Sequence, residues 1–233
     1  MESGGWDESA QAWIESVGDH GDWSRRYVLD PAMADLSGDL RGKKVLDVGC
    51  GEGRWCRWMR TQGAEPIGLD PTATLLETAR TQDPKGTYLQ GGGEHLPFED
   101  NAFDHVVAYL TLIDIPDFRA AIREMARVLK PGAKLLIANI NSFADQGWVK
   151  DEAGNPLYFP VDRYLEEYST WFEWRGIRIL NYHRPFSAYV EELLRAGLIL
   201  EAFQEPRATE GAPDAERYAR VPWFHVMRWS KPC

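Results

Sequence analysis

Residues 43–53 read Lys43-Lys44-Val45-Leu46-Asp47-Val48-Gly49-Cys50-Gly51-Glu52-Gly53. The first six read as a short buried strand. Glycines follow at 49, 51 and 53, and Arg54-Trp55-Cys56-Arg57-Trp58-Met59-Arg60 has helix-forming character. A strand, a glycine-rich turn and a helix form a nucleotide-type cradle. Glycine lets the backbone turn sharply and lets a ligand approach the amides closely. The helix start adds unpaired N–H groups and a positive dipole end.

Spacing narrows the ligand. A dinucleotide fingerprint needs G-x-G-x-x-G, the third glycine permitting close helix–strand packing. Counted from Gly49, that third position is Arg54, so the pattern fails. What stands there is Asp-x-Gly-x-Gly-x-Gly from Asp47 to Gly53. This resembles the first motif of the class I S-adenosylmethionine (SAM) dependent methyltransferases, small-molecule enzymes of the type 11-like group. The resemblance implies that Asp47, Gly49, Cys50, Gly51 and Gly53 hold the amino-acid end of SAM. A glycine turn without any ligand is the bland alternative.

Later segments continue the pattern. Ile67–Leu69 reads as a second strand ending at Asp70, 17 residues after Gly53. A carboxylate there can accept both hydroxyls of a ribose, in NAD and SAM sites alike. A helix over Thr74–Arg80 brings Leu75 near an adenine, with Pro71 at the turn before it. Thr87–Gln90 reads as a short third strand. Gly91-Gly92-Gly93-Glu94-His95-Leu96-Pro97-Phe98 resembles the family's G-D-A-E-x-L-P-F segment, whose Asp accepts the adenine amino group. Gly92 occupies that Asp position, which leaves Gly93 and Glu94 as adenine contacts. Phe103–Tyr109 reads as the fourth strand. Ligands of open parallel sheets bind beyond the C-terminal strand ends, so Tyr109 is a further contact. A helix over Phe118–Lys130, stopped by Pro131-Gly132, leads to a fifth strand over Ala133–Asn139.

Composition sets limits. With 233 residues and a formal net charge of −10, the chain lacks the broad basic surface that nucleic acid requires. Three cysteines, one of them terminal, suggest neither a disulfide framework nor a metal site. No apolar run reaches about 18 residues and no signal pattern is visible. The expectation is a cytoplasmic protein with a small-molecule acceptor, no metal, no membrane and no nucleic acid; oligomeric state is not legible.

The flanks add shape. Trp6, Ala10, Trp13, Ile14 and Val17 lie on one helical face, and a second helix from Pro31 has Asp30 as a plausible cap. The resemblance implies that such a segment covers the SAM site, making Trp13, Arg26 and Tyr27 candidate substrate contacts. Residues 141–181 are an insertion rich in aromatics, read as a lid: helical around Val161–Tyr168, with strands at Trp171–Glu173 and Arg178–Leu180. Trp171 and Trp174 are candidate acceptor contacts. A helix from Ser187, its expected cap, to Ala196 precedes two strands at Leu198–Gln204 and Val221–Trp229. The expected fold is α/β, a Rossmann-like doubly wound seven-stranded sheet of order 3-2-1-4-5-7-6 with strand 7 antiparallel. It forms one methyltransferase domain: helical cap 1–40, SAM-binding core 41–140, lid insertion 141–181, C-terminal helix and hairpin 182–233.

Methyl transfer from a sulfonium is an in-line displacement, so the protein mainly positions and desolvates the acceptor. A base is needed only when the acceptor must lose a proton. His183 is the first choice, since histidine titrates near neutrality; His20 and Asp114 come after it. Arg184 could bind an anionic acceptor group, and an aromatic cage could hold an amine. The acceptor atom, N, O or C, stays open. The alternatives are a non-catalytic SAM-fold partner, a protein methyltransferase, an NAD-dependent oxidoreductase and a nucleic-acid methyltransferase. The last two are disfavoured by Arg54 and by the acidic charge.

Overall fold

The computed structural model describes residues 4–213 and 215–233. Its central sheet is built from β1 (Lys44–Val48), β2 (Glu65–Asp70), β3 (Thr87–Gln90), β4 (Phe103–Tyr109), β5 (Leu129–Ile140), β10 (Ile199–Gln204) and β11 (Phe224–Ser230). Their order is β3-β2-β1-β4-β5-β11-β10. The first five run parallel, and β11 lies antiparallel to both β5 and β10. This is the expected topology. Strand order reverses between β1 and β4, where an open sheet forms its ligand crevice.

Alternation along the strands explains the two-sided core. Leu46, Val106, Ala108, Leu135 and Ile137 face the helices α5 (Phe118–Val128) and α6 (Phe186–Arg195), meeting Phe118, Ile122, Met125, Tyr189 and Leu193. Their neighbours Val45, Val107, Leu136 and Ala138 face the other way, toward α2 (Asp30–Ser37), α3 (Arg54–Thr61) and α4 (Ala73–Gln82). Both faces are covered, as parallel sheets require. Each fully buried Phe, Ile or Met contributes about 1.5–3 kcal/mol. Asp117 caps α5, its Oδ1 accepting from the Ala120 amide at 2.9 Å. That helix ends at Val128 rather than Lys130, because Leu129 already pairs with Phe103 in the sheet.

The N-terminal segment forms α1 (Trp6–Val17), a π-helical turn over Arg25–Leu29, and α2. The insertion contains the short pair β6 (Val149–Lys150) and β7 (Pro156–Tyr158), then the hairpin β8 (Tyr168–Trp174) and β9 (Ile177–His183). Both expected insertion strands lie inside that hairpin. The expected helix at Val161–Tyr168 does not form. Arg163 adopts a left-handed φ of 50°, and the Glu166 amide bonds back to its carbonyl in a single turn. Val161 and Leu165 are 61% and 81% exposed, so no surface is present to bury an amphipathic face. The helix α6 begins at Phe186 after Pro185, with no side-chain cap, so Ser187 lies within it. A last short helix, α7 (Glu216–Ala219), precedes β11.

Candidate active site

The glycine loop is closed beneath and open above. Gly49, Gly51 and Gly53 have φ of 74°, 54° and 77°, a region that only glycine enters freely. The amides of Gly49 and Cys50 bond to the Leu69 carbonyl at 2.7 and 3.1 Å, tying the loop to β2. A side chain at Gly49 would collide with Thr111, and a Cβ at Gly53 would lie 2.8 Å from the Tyr88 hydroxyl. A Cβ at Gly51 would meet nothing within 4 Å, so this residue faces the open side. Cys50 turns inward against Gly68. Asp47 is also underneath: it is buried, and its Oδ2 accepts from the Cys56 thiol at 3.3 Å. Burial raises its carboxyl to about 7, with the nearby Asp70 adding to the rise and the thiol opposing it. Asp47 therefore supports the loop from behind.

Asp70 closes the other side of the cradle. Its Oδ2 accepts from the Gly51 amide and its Oδ1 from the Thr72 amide, each at 2.9 Å. Burial raises its carboxyl to about 6, against the pull of those two amides. Leu75 is buried in the first turn of α4, and the Pro71 carbonyl is taken by Gln90. Farther along, a Cβ at Gly92 would lie 2.7 Å from Glu94 Oε2. The Glu94 carboxylate thus fills the place of the side chain that Gly92 lacks. Gly93 packs against Val48 and Ile115, where a Cβ would crowd at 3.0 and 2.9 Å.

The N-terminal segment reaches over this loop. The Trp13 indole donates to the buried Glu52 carboxylate at 3.1 Å, which puts α1 against the glycine turn. Arg26 is exposed and lies over Tyr27. Its neighbour Arg25 faces inward instead, 4.7 Å from the Trp13 ring and 5.8 Å from that of Tyr109. The π-helical turn rotates the two arginines apart, a local irregularity that composition does not signal. Tyr27 packs with Trp23, whose ring stacks on Tyr218. Asp30 is not a cap: it holds Arg54 through two bonds of 2.8 and 3.0 Å and accepts from the Tyr109 hydroxyl at 2.7 Å. Tyr109 is thereby committed to that ion pair.

Beyond the end of β4 lies a cavity of about 240 Å³. It is walled by Ile113 from the loop after β4, by Ile140 and Asn141 at the end of β5, and by Trp223. Ser142 and Ala144 after β5 and Tyr189 of α6 also line it, and the β8–β9 hairpin supplies the rest. Cross-strand register puts Thr170, Phe172 and Trp174 on one face with Asn181, Ile179 and Ile177, and this face lines the cavity with Thr170, Phe172, Trp174 and Asn181. Trp171 points to the opposite face, over Arg178 at 3.9 Å and against Gly5. Of the two expected tryptophans, Trp174 alone reaches the cavity, and Phe172 replaces Trp171. A wider groove of about 730 Å³ opens elsewhere, between β6–β7 and α7, and shares no residue with the glycine loop or the strand ends.

His183 also borders the cavity. Its ring stacks on Tyr168 at 4.4 Å, and Nε2 lies 3.1 Å from the Tyr164 carbonyl. Those contacts tie the ring to the insertion backbone, which suits a structural part better than a base. Arg184 is buried and donates to the carbonyls of Leu112 (2.7 Å), Ile115 (2.6 Å) and Pro116 (2.9 Å). It clamps the loop after β4 and does not present a guanidinium to an anionic acceptor. His20 is exposed and does not line the cavity. Asp114 is placed differently: it accepts from the Asn181 side-chain amide. Burial raises its carboxyl to about 8. Among the described residues, no cluster of three His, Cys, Asp or Glu could hold a metal, and no helix is long and apolar enough to cross a membrane.

The site thus combines a doubly wound sheet, an Asp-x-Gly-x-Gly-x-Gly loop, a buried carboxylate at the end of β2 and a cavity beyond β4. Comparisons with known proteins bear on it. A family model described as a methyltransferase domain matches residues 46–137. The methyltransferase GfsG of Streptomyces halstedii is 40% identical over 106 residues, 42% of this chain and 38% of the relative. Demethylmenaquinone methyltransferase of Staphylococcus aureus is 36% identical over 131 residues, 53% of this chain and 51% of the relative. The match thus spans about half or less of each of these relatives. The crystal structure of an S-adenosylmethionine dependent methyltransferase from Mesorhizobium loti superposes with a TM-score of 0.80 at 25% identity, covering 92% of this chain and all of that one. Residues 46–137 thus match a methyltransferase domain, and the fold of nearly the whole chain is similar to that of a SAM-dependent methyltransferase of known structure.

Proposed function

We propose that the chain transfers a methyl group from SAM to a small acceptor held in the 240 Å³ cavity. The observation that carries this reading is the adjacency of two unlike sites on one clamped loop. Thr111 supports the glycine cradle from below, and Ile113, two residues on, lines the cavity. SAM supplies an electrophilic methyl, so the chain's own task is to bind, align and exclude water.

On this reading the open edge at Gly51 receives the amino-acid end, and the buried Asp70 accepts the ribose hydroxyls. Leu75, Pro71, Gly93 and Glu94 surround the adenine, with the Glu94 carboxylate taking its amino group in place of an Asp at 92. Trp13 and Arg25 close over the loop. The hairpin and Trp223 enclose the acceptor; its size suits a small ring-bearing molecule better than a folded protein surface. Demethylmenaquinone, named for the S. aureus relative, belongs among the acceptors to be tried. The test is transfer of labelled methyl from SAM to a panel of small aromatic and amine acceptors, with protein substrates in parallel. Labelling of small acceptors is expected. Binding of SAM without any transfer would favour the partner-protein reading, and labelling of protein alone would relocate the acceptor site.

A further inference from the structure

Most polar groups around the 240 Å³ cavity are already committed to the protein. Asn141 donates from Nδ2 to the Pro222 carbonyl at 2.8 Å, and its Oδ1 lies 2.7 Å from His225 Nδ1. The Ser142 hydroxyl donates to the Arg184 carbonyl, and the Tyr189 hydroxyl lies 3.5 Å from the Arg184 guanidinium. His183 Nε2 faces the Tyr164 carbonyl at 3.1 Å. Asn181 differs. Its Nδ2 donates to the carboxyl of Asp114, a residue outside the lining. A carboxylate oxygen accepts and an amide nitrogen donates, so this bond fixes which end of the amide is which. Asn181 lines the cavity and is half-buried, and its Oδ1 stays accessible with no donor among the described residues. Directly across the hairpin stands Thr170, its register partner, which lines the cavity from the same face. Cross-strand partners have Cβ atoms about 4.5–5.5 Å apart. The Thr170 hydroxyl has no partner among the described residues either, so nothing joins the two.

The rest of the lining is apolar or aromatic. Phe172, Trp174, Tyr189 and Trp223 supply rings, and no Asp, Glu, Lys or Arg is present. A charged guest would lose its hydration there without gaining a partner. A cavity of about 150 Å³ already takes benzene, so 240 Å³ holds one ring with short substituents. A hydroxyl on that ring both donates and accepts, which matches an amide oxygen set beside a second hydroxyl. We infer that the cavity selects an uncharged, single-ring molecule bearing a hydroxyl, and that Asn181 and Thr170 determine this specificity. The guest hydroxyl donates to Asn181 Oδ1 and accepts from the Thr170 hydroxyl. This names the acceptor class of the site proposed above and rests on that reading only in calling the guest an acceptor.

The test is ligand-observed NMR titration of the full chain at pH 7, with and without saturating S-adenosylhomocysteine. Its probes, similar in size, are p-cresol, p-xylene, 4-methylbenzylamine and 4-methylbenzoate. The wild type should bind p-cresol in roughly the millimolar range or tighter, and the cationic and anionic probes at least about tenfold more weakly. Asn181→Leu should weaken p-cresol about 5–10-fold while p-xylene binds at least as well as to the wild type. If Asn181→Leu fails to fold, Thr170→Val, at an exposed position, carries the test, with a loss of about threefold for p-cresol and none for p-xylene. Either charged probe binding as tightly as p-cresol would overturn the inference. So would p-cresol affinity unchanged by the substitutions, or no p-cresol binding to the wild type up to about 10 mM. Failure of the wild type to bind S-adenosylhomocysteine would instead overturn the methyltransferase reading, and the p-cresol titrations of the nucleoside-free chain would still decide what the cavity selects.

Discussion

The two halves of the crevice are made in different ways. The half proposed to hold the cofactor, from β1 to β4, is built from backbone: three left-handed glycines, amides bonded to Leu69, and the Asp70 carboxylate fixed by two amides at a strand end. The half proposed to hold the acceptor, from the end of β5 to β9, is built from side chains that meet across long sequence separations. Trp223 closes a cavity opposite Phe172, and Arg184 holds carbonyls near residue 115. A backbone site tolerates little change and leaves a strong local signature. A side-chain site is easily re-lined, and its signature is spread through the chain. One fold can therefore keep its cofactor and change its acceptor.

The largest effect should come from the cofactor half. Asp70→Ala removes a charged acceptor for two hydroxyls, worth about 3 kcal/mol, and SAM affinity should fall about 100-fold by calorimetry. Affinity within about threefold of wild type would mean that the backbone half is not the nucleoside site. Next, Arg184→Leu leaves three carbonyls, two of them buried, without their donor. It should lower stability by about 3 kcal/mol and the unfolding temperature by about 6–12 °C, with little change in SAM affinity below the transition. If thermal scans show no shift, the loop after β4 does not depend on that clamp.

A pH series sharpens the contrast further. Asp70 must be ionised to accept both hydroxyls, and its carboxyl lies at about 6. SAM affinity should therefore decline below about pH 6, by up to about tenfold per unit, and Asp70→Asn should flatten the profile. Stability of the unliganded chain runs the other way. Asp47 and Asp70 are raised from an ordinary 3.8 to about 7 and about 6. The stabilisation each lends is full below 3.8 and is lost as pH rises through those values. Chemical denaturation at pH 5 and pH 8 measures this directly. The smallest effect separates the two faces of the hairpin. Phe172→Ala enlarges the cavity and should weaken acceptor binding by about 5–10-fold, whereas Trp171→Ala should change it less than about twofold. Equal effects would show that the cavity is not where the acceptor sits.

Much of the backbone half was legible. The strands at Thr87–Gln90 and Phe103–Tyr109 have the expected bounds, and the sheet order follows from the motif sequence. Alternating glycines and strand-end carboxylates are local patterns with a physical reason at each position. Gly92 read as a departure, yet Glu94 two residues away occupies its space, a replacement visible only in three dimensions. The side-chain half was harder to read. Period-two alternation requires that Trp171 and Trp174 point apart once both lie in one strand, but it does not say which face is covered. Arg184 looked available for an anion because its three carbonyl partners lie about 70 residues upstream. Arg25 and Arg26 are adjacent in sequence and opposite in role because of a π-helical turn. Val161–Tyr168 carries apolar spacing, but Val161 and Leu165 are exposed and only the tyrosines pack, against His183, so no helix forms.

The most direct measurement is calorimetric titration of the purified chain with SAM, with S-adenosylhomocysteine and NADH in parallel. The cradle described here predicts binding of the two sulfur ligands in roughly the micromolar range and none of NADH, since Arg54 stands where a dinucleotide turn needs its third glycine. Binding of NADH, or of none of the three, would contradict the assignment of the glycine loop and Asp70 as a SAM site.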